Sequence, residues 1–541
     1  MQILGSNYGF TANRAPVVNS TSVLTHTDLS TSVALDKLAT DPEGDAIFYR
    51  IINPVNGAVT FTRDGHSAFF LPTAGYSGTA SFDVVASDGF SSSAPAKVTV
   101  NVSNAALVNL DFARRGLRLD VGGSTELVVI GDFADQQDVI LPYDYLQLAS
   151  DNAAVAVMSA GKVMGLSDGV SVLSASRNGI SAVTALRVGE LLPTNQTQLN
   201  VAIAESYGLK LYPQAVTLTE GMQRQLLVGL NEVIKSPDLK TAADGTRYFV
   251  SNSNILQVSE NGLITALDEG IANVTVIYGG AEKVIPVQVE IPQLGSATLG
   301  INGGAVQAID GARVMIAPGS LTEDTTVSIQ QLNPQELTLP TPEGFSFAGA
   351  FKLDLGNNSL ALPAQLAIPA PADLAPGTEV FFLRQGELPD ADGNWKSIWF
   401  VEESGVVTAD GMIRTSSPPW PGVAQGGTYT IAVPKFSYSN GLTDPQSYEN
   451  ATRILNAVEP VINSSANLAI ASAGIALFAL ANPLAAAGLG LFLTPDAIAA
   501  DSNGLKDAKE LANTIVNNID GKGTKGTVME YVAMLQKLQI G

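Results

Sequence analysis

Residues 79–103 read TASFDVVASDGFSSSAPAKVTVNVS, two runs of alternating polarity split by a Gly- and Ser-containing turn. Successive side chains of a strand point to opposite faces, so alternation of this kind marks strands with one face inward. The same texture continues over residues 13–103, through AIFYRIINP, GAVTFTRDG and SAFFLPTAG. Strands of roughly five to eight residues at this spacing indicate an antiparallel sandwich.

The whole chain bounds what else is expected. Its 541 residues are too many for one ordinary core and imply roughly three to five domains. Composition is 45% hydrophobic and 15% charged, and 51 glycines with 28 prolines supply turns, which favours short strands over most of the length. The net charge of −22 argues against nucleic acid, which is gripped through basic stripes. It suits a soluble surface, or one that attracts divalent cations. With no cysteine, disulfides, thiolate metal sites and thiol nucleophiles are excluded. The two histidines, His26 and His66, both fall in the first hundred residues. A Ser-His-Asp triad or a His-based zinc site is therefore excluded over most of the chain. The opening MQILGSNYGFTANRAP has neither a basic n-region nor an apolar h-region, so it is not expected to be a cleavable signal peptide. The expectation is a chain cut from something longer, or one that leaves the cell without such a signal.

Residues 105–190 and 209–291 form an internal pair. The first contains LRLDVGGSTELVV and LASDNAAVAVMSAGKVMGLSDGVSVLSASRNG; the second contains LKLYPQAVTLTEGMQRQLLV and VSNSNILQVSENGLITALDEGIANVTVIYGG. Both run strand, Gly turn, strand, a Ser-Asp/Asn-rich turn, xVxVxxxGxVxxL, an acidic-Gly turn and a closing hairpin. Residues 191–208 between them read as a linker with a short helix. Residues 292–440 are again β-rich. Beyond Asn440 the texture changes. DPQSYENATRILNAVEPVI reads as a helix, Val461 to Pro495 carries no charge, and Leu511, Ile515 and Ile519 share one face at i, i+4 spacing. Residues 441–541 are therefore expected to be a helical domain with an apolar hairpin.

Several of these stretches carry resemblances. NRAPVV, ATDPEGDAIFYRI, NGAVTF, GYSGTASFDVVASDGFSSS and VTVNV resemble, in order, the bacterial cadherin-like (VCBS-type) Ig module, assigned to residues 1–104. The internal pair resembles the bacterial Ig-like group 2 module. GGAVQAIDGARVMIAPGSLTEDTTVSI and GTYTIAVPKFSYSNG resemble the start and end of the ZU-type domain, although MIRTSSPPWPG between them departs from the animal family. The fold class expected is mostly β: tandem Ig-like β-sandwiches followed by an all-α C-terminal domain.

The stretch ATDPEGDAIFYRI, residues 39–51, holds the candidate ligand chemistry. Calcium takes six to eight oxygens, often from carboxylates at alternate positions of a bent loop. Asp41, Glu43 and Asp45 have that spacing, and Gly44 permits the bend. The cadherin-like resemblance adds Asp88 of SDG and Asn13 of NRAP to the set. The alternative is an acidic turn whose carboxylates face water. Four other motifs read more simply. In PKFSYS, a ZU-type self-cleaving serine would be Ser437, but Lys435 stands where its histidine would, so the general base is missing. GKGTKGT, residues 521–527, lacks the strand and frame of a phosphate loop. Trp395, Trp399 and Trp420 pack a core or form a sugar-stacking face. The uncharged run 461–495 is either a hairpin buried in protein or a membrane contact, since it has length enough to span but neither basic flanks nor an aromatic belt.

The function expected is that of a non-enzymatic extracellular structural or adhesive segment of a large bacterial surface or secreted protein. Calcium is its candidate cofactor, other protein modules or cell-surface ligands are its partners, and the helical end is its anchor. The alternative is the front part of an RHS/YD-repeat-type toxin whose apolar helices aid translocation.

Overall fold

The strand Ala96–Ser103 shows how the sequence sets the fold. Ala96, Val98, Val100 and Val102 are buried, while Lys97 and Asn101 face water. It lies between Thr21–His26, which it pairs in parallel, and Gly78–Ser87; Phe48–Val55 completes this four-stranded sheet. A second sheet of Thr31–Ala34, Ser67–Pro72 and Gly57–Phe61 packs over it. Phe82 of the first sheet and Phe70 of the second are fully buried and stack with centroids 6.1 Å apart. Burying each such ring stabilises the sandwich by roughly 1.5–3 kcal/mol.

The computed structural model describes residues 13–231, 237–341, 345–389, 395–416 and 422–434. They divide into two units, one ending at Leu191 and one beginning at Leu192. The first unit holds the sandwich just described and a second one over residues 107–188. The second unit holds a third sandwich over residues 209–289 and a larger sheet over residues 293–434.

The second and third sandwiches repeat one topology. In the second, Leu117–Leu119 pairs in parallel with Ile180–Val188, followed by Gly169–Arg177 and Gln147–Ser150. In the third, Val216–Leu218 pairs in parallel with Ala281–Val289, followed by Gly270–Tyr278 and Thr246–Val250. The facing sheets also correspond: Ser124–Glu126, Lys162–Gly165 and Ala156–Ser159 against Gln223–Gln225, Leu263–Ala266 and Leu256–Val258. The acidic-Gly turn has one purpose in both. Gly169 has φ +150° and Gly270 φ +145°, and a Cβ would lie 2.7 Å from Val155 Cγ2 or 2.5 Å from Ile255 Cδ1. Only glycine meets both the backbone and the space.

The helix Gln196–Tyr207 precedes the third sandwich. Asn195 caps it, its side chain accepting from the Gln198 amide, and Gly208 at φ +83° ends it. It is packed through Ala204, Val201 and Ile203 onto the sandwich core. The 293–434 sheet runs from Gln293–Leu294 to Ser296–Leu299 through one continuous path of strands and encloses Phe351, Phe382 and Tyr429. Phe351 and Tyr429 stack at 4.9 Å.

The expectation of an all-α C-terminal domain is corrected. The described chain stays strand-built to its last element, Gly427–Pro434, and Gln196–Tyr207 is the one α-helix among the described residues. Apolar i, i+4 spacing permits a helix but does not make one, because helices of ordinary length take most of their stability from a surface to pack on. Residues 441–541, the apolar run 461–495 and the GKGTKGT loop lie outside the described residues. Among the described residues no helix is long and apolar enough to cross a membrane.

Candidate functional site

At one end of the first sandwich, two loops are held by two consecutive residues. Asn13 donates through Nδ2 to Asp88 Oδ2 at 2.8 Å and to Ser91 Oγ at 3.0 Å. Arg14 holds Glu43, with Nε to Oε1 at 2.8 Å and its amide to Oε2 at 3.1 Å. The entering chain therefore ties the 41–45 loop and the 88–91 loop to one end of the module. The sequence pattern singled out Asn13, Glu43 and Asp88 but missed Arg14 and Ser91. The signal for Arg14 was a cation beside the candidate ligand Asn13.

Each loop also organises itself. Asp41 Oδ1 accepts from the amides of Glu43 at 2.9 Å and Asp45 at 3.0 Å, and Gly44 takes φ +81° to close the bend. That is an Asx turn, in which an aspartate side chain substitutes for backbone acceptors. Asp88 is 7% exposed, and its Oδ1 accepts from the amides of Phe90 and Ser91, each at 2.7 Å. The Ser91 amide does most to hold this carboxyl below its ordinary range; burial opposes it, and Asn13 and the Phe90 amide add to it.

The donor set is of hard oxygens, as calcium requires. Asp41 Oδ2 is buried with no hydrogen-bond partner, which is the one atom here that asks for a cation. Against that, Glu43 is occupied by Arg14 and Asp88 accepts three hydrogen bonds. Among the described residues, no three His, Cys, Asp or Glu side chains stand together as a metal-holding group.

A second cluster joins the two sandwiches of the first unit. His26 is 1% exposed, lies flat on Phe133 at 3.5 Å, and its Nε2 is 2.8 Å from Asp135 Oδ1. Asp135 Oδ2 accepts from Ser103 Oγ at 2.5 Å. The aspartate, not the histidine, stands in the middle, so this trio cannot pass a proton from serine to histidine as a hydrolase does. Leu29, from the loop after His26, is 3% exposed and sits among Phe112, Phe133, Tyr145 and Ile180 of the second sandwich. Arg177 stacks on Tyr145, donates to its carbonyl oxygen at 2.7 Å and reaches Asp28 at 3.4 Å. His66, the other histidine, pairs with Asp36 at the surface.

The remaining motifs resolve simply where they are described. Trp399 is 6% exposed and donates Nε1 to the Pro340 carbonyl oxygen at 2.9 Å, a core use of the ring. Trp420 and the Lys435–Phe436–Ser437 sequence lie outside the described residues. So does the tail on which the toxin alternative turned. In the core of the 293–434 sheet, Arg384 Nε pairs with Glu402 Oε1 at 2.8 Å. Burial pushes the Glu402 carboxyl up, and Arg384 pulls it back.

Residues 13–101 match the model of the bacterial Ig domain family. The match covers the sandwich that carries the Asn13, Asp41, Glu43, Asp45 and Asp88 loops. No curated protein matches the chain. Among solved structures, human protocadherin-24 EC1-2 is 12% identical over 34% of this chain and 100% of its own, at a TM-score of 0.16. Domains 1-6 of the surface layer protein SbsC are 14% identical over 68% of this chain, at a TM-score of 0.15. The chain spans about half of that fragment, 54%. Mouse cadherin-23 EC22-24 is 15% identical over 52% of this chain and 99% of its own, at a TM-score of 0.14. At such scores these likenesses carry no functional inference.

Proposed function

We propose that this chain is a non-enzymatic structural or adhesive segment of a bacterial surface or secreted protein, exposed outside the cell. The observation that carries the reading is the Ig-family match at residues 13–101, continued by sandwiches of one repeated topology at 107–188 and 209–289. Arrays of this kind present surfaces and span distance; their partners here would be other protein modules or cell-surface ligands. In this reading residues 1–104 are a cadherin-like Ig module and 105–190 and 209–291 are group 2 Ig-like modules joined by a linker at 191–208. Residues 292–440 are a ZU-like β-sandwich.

Calcium is the cofactor proposed for the first module. Asp41, Glu43, Asp45 and Asp88 would ligate it, and Asn13 would turn its amide oxygen to the ion. The orphaned Asp41 Oδ2 and the gathering of both loops at one end support this. The ion would stiffen the module's end and catalyse nothing. Calorimetry of the full chain in calcium and in EDTA tests it. A transition that rises with calcium, and no longer does so in Asp41→Asn, is expected; an unchanged midpoint leaves the loops as capped turns.

A further inference from the structure

Within the second unit, a cleft of about 570 Å³ lies between the third sandwich and the 293–434 sheet. The strand Gln223–Gln225 forms one wall; the turn at Thr408–Asp410 and the strand Met412–Thr415 form the other. Its volume is in the range of small-molecule sites, roughly 300–1,000 Å³.

Two guanidiniums and one carboxylate line this cleft, Arg224, Arg414 and Asp410, in a chain whose net charge is −22. Arg224 is 5% exposed and donates Nη1 to the Thr415 carbonyl oxygen at 2.9 Å, which fixes it across the joint between the two sandwiches. The Arg414 side chain is 12% exposed. Its Nε donates to Thr408 Oγ1 at 3.2 Å and its Nη2 to Asp410 Oδ2 at 2.5 Å. Asp410 also accepts from Thr408 Oγ1 at 2.5 Å, so the carboxylate is held against the Nη2 edge of the guanidinium. Arg414 Nη1 is buried and has no hydrogen-bond partner. A charged N–H withdrawn from water without an acceptor is costly, and native structures keep few of them. The planar fork of arginine matches an oxyanion better than it matches a water or a neutral group.

We propose that this cleft binds a small oxyanion, the carboxylate or sulfate group of a polar molecule, with Arg414 Nη1 donating to it and Arg224 supplying a second positive charge. Gln223 and Ser416, also in the lining, offer neutral polar groups to the rest of that molecule. The site is independent of calcium and of the adhesive reading.

Isothermal titration of the full chain with sodium sulfate, sodium glucuronate and glucose, at matched ionic strength, tests the proposal. Sulfate or glucuronate binds the wild type and glucose does not. Arg414→Gln weakens the anion by about ten- to a hundredfold, the worth of one charged hydrogen bond. Arg414→Lys weakens it less, and Lys352→Gln, an exposed cation outside the cleft, leaves it unchanged. Sulfate alone assigns a sulfate ester, glucuronate alone a carboxylate, and both the shared chemistry. Urea midpoints show whether each variant is folded; if Arg414→Gln is not, Arg414→Lys must still weaken the anion. The proposal falls if neither anion binds the wild type, if glucose binds equally, or if the Arg414 variants bind as tightly as Lys352→Gln.

Discussion

Leu29→Ala isolates the joint between the first two sandwiches. Leu29 belongs to a loop of the first sandwich, yet it is 3% exposed within the core of the second, against Phe112, Phe133, Tyr145 and Ile180. Truncating a buried leucine costs the transfer term plus the cavity left behind, about 2–5 kcal/mol. Aromatic walls on several sides collapse poorly, but the site lies at a sandwich end, so about 3 kcal/mol is expected. For a cooperative unit of 150–250 residues, that lowers the midpoint by roughly 6–12 °C. Calorimetry of the full chain is the assay. All three tryptophans, at positions 395, 399 and 420, fall within residues 293–434, so a heat transition without a change in tryptophan emission does not belong to the 293–434 sheet, and its shift in the Leu29 variant assigns it to the first unit. The variant should also split that transition, because the first sandwich keeps its own core of Phe70, Phe82 and Val98 intact. A double-mutant cycle with Phe133→Leu should show a coupling of about 0.5–3 kcal/mol. A cost under about 0.5 kcal/mol, the size of an ordinary surface change, or strict additivity with Phe133→Leu, would refute the reasoning that Leu29 bonds the two sandwiches.

Gly169→Ala and Gly270→Ala should each destabilise their sandwich by about 1–3 kcal/mol from backbone strain alone, with Val155 and Ile255 adding to it; a urea midpoint within error of wild type for either would separate the two repeats. Arg384→Met leaves Glu402 buried without its cation and should cost about 3–5 kcal/mol at neutral pH. Burial already raises that carboxyl, and a raised acid destabilises the fold above its folded pKa and is relieved below it, so the deficit should shrink in acid; a deficit that grows in acid would contradict this. Asp88 works the other way: held below the ordinary carboxylate range by the Ser91 amide first, it stabilises the fold above that range, and the contribution is lost as pH falls through its depressed pKa. Asp88→Asn should therefore flatten the loss of midpoint in acid, and an unchanged slope counts against it.

What could be read from the sequence was what repeats locally. Alternation gives the strand Ala96–Ser103 its inward face, and the two acidic-Gly turns, SDG and DEG, mark the same glycine in two sandwiches. The cap of Gln196–Tyr207 is likewise local, Asn195 to the Gln198 amide. The acidic loop was legible as a bend, but not the hold of Arg14 on Glu43, which spans 29 positions. Nothing in the chain's pattern links His26 to Asp135 across 109 positions, or Arg224 to Thr415 across 191. Such pairs are chosen by where the ends of sandwiches meet, and no periodicity encodes that. The i, i+4 spacing at Leu511, Ile515 and Ile519 is a local pattern of the same kind, and it falls outside the described residues.

These long-range pairs share a physical cause. The end of a β-sandwich exposes loop carbonyls and amides that water satisfies, and docking a second sandwich there withdraws the water. The joint holds only if side chains replace it. In the first unit His26, Ser103, Asp135 and Arg177 do so, with Leu29 as the apolar plug. In the second unit Thr217, fully buried, donates to the Ile316 carbonyl oxygen at 2.9 Å, Arg313 reaches Thr219 at 3.2 Å, and Ala305, Met315 and Ala367 enter the core of the third sandwich. Within each unit the sandwiches are thus packed against one another through groups that were polar at the outset. The buried histidine and the Arg224 of the anion cleft both lie at these seams. The hydrogen bonds at these seams exist only while both sandwiches stay docked.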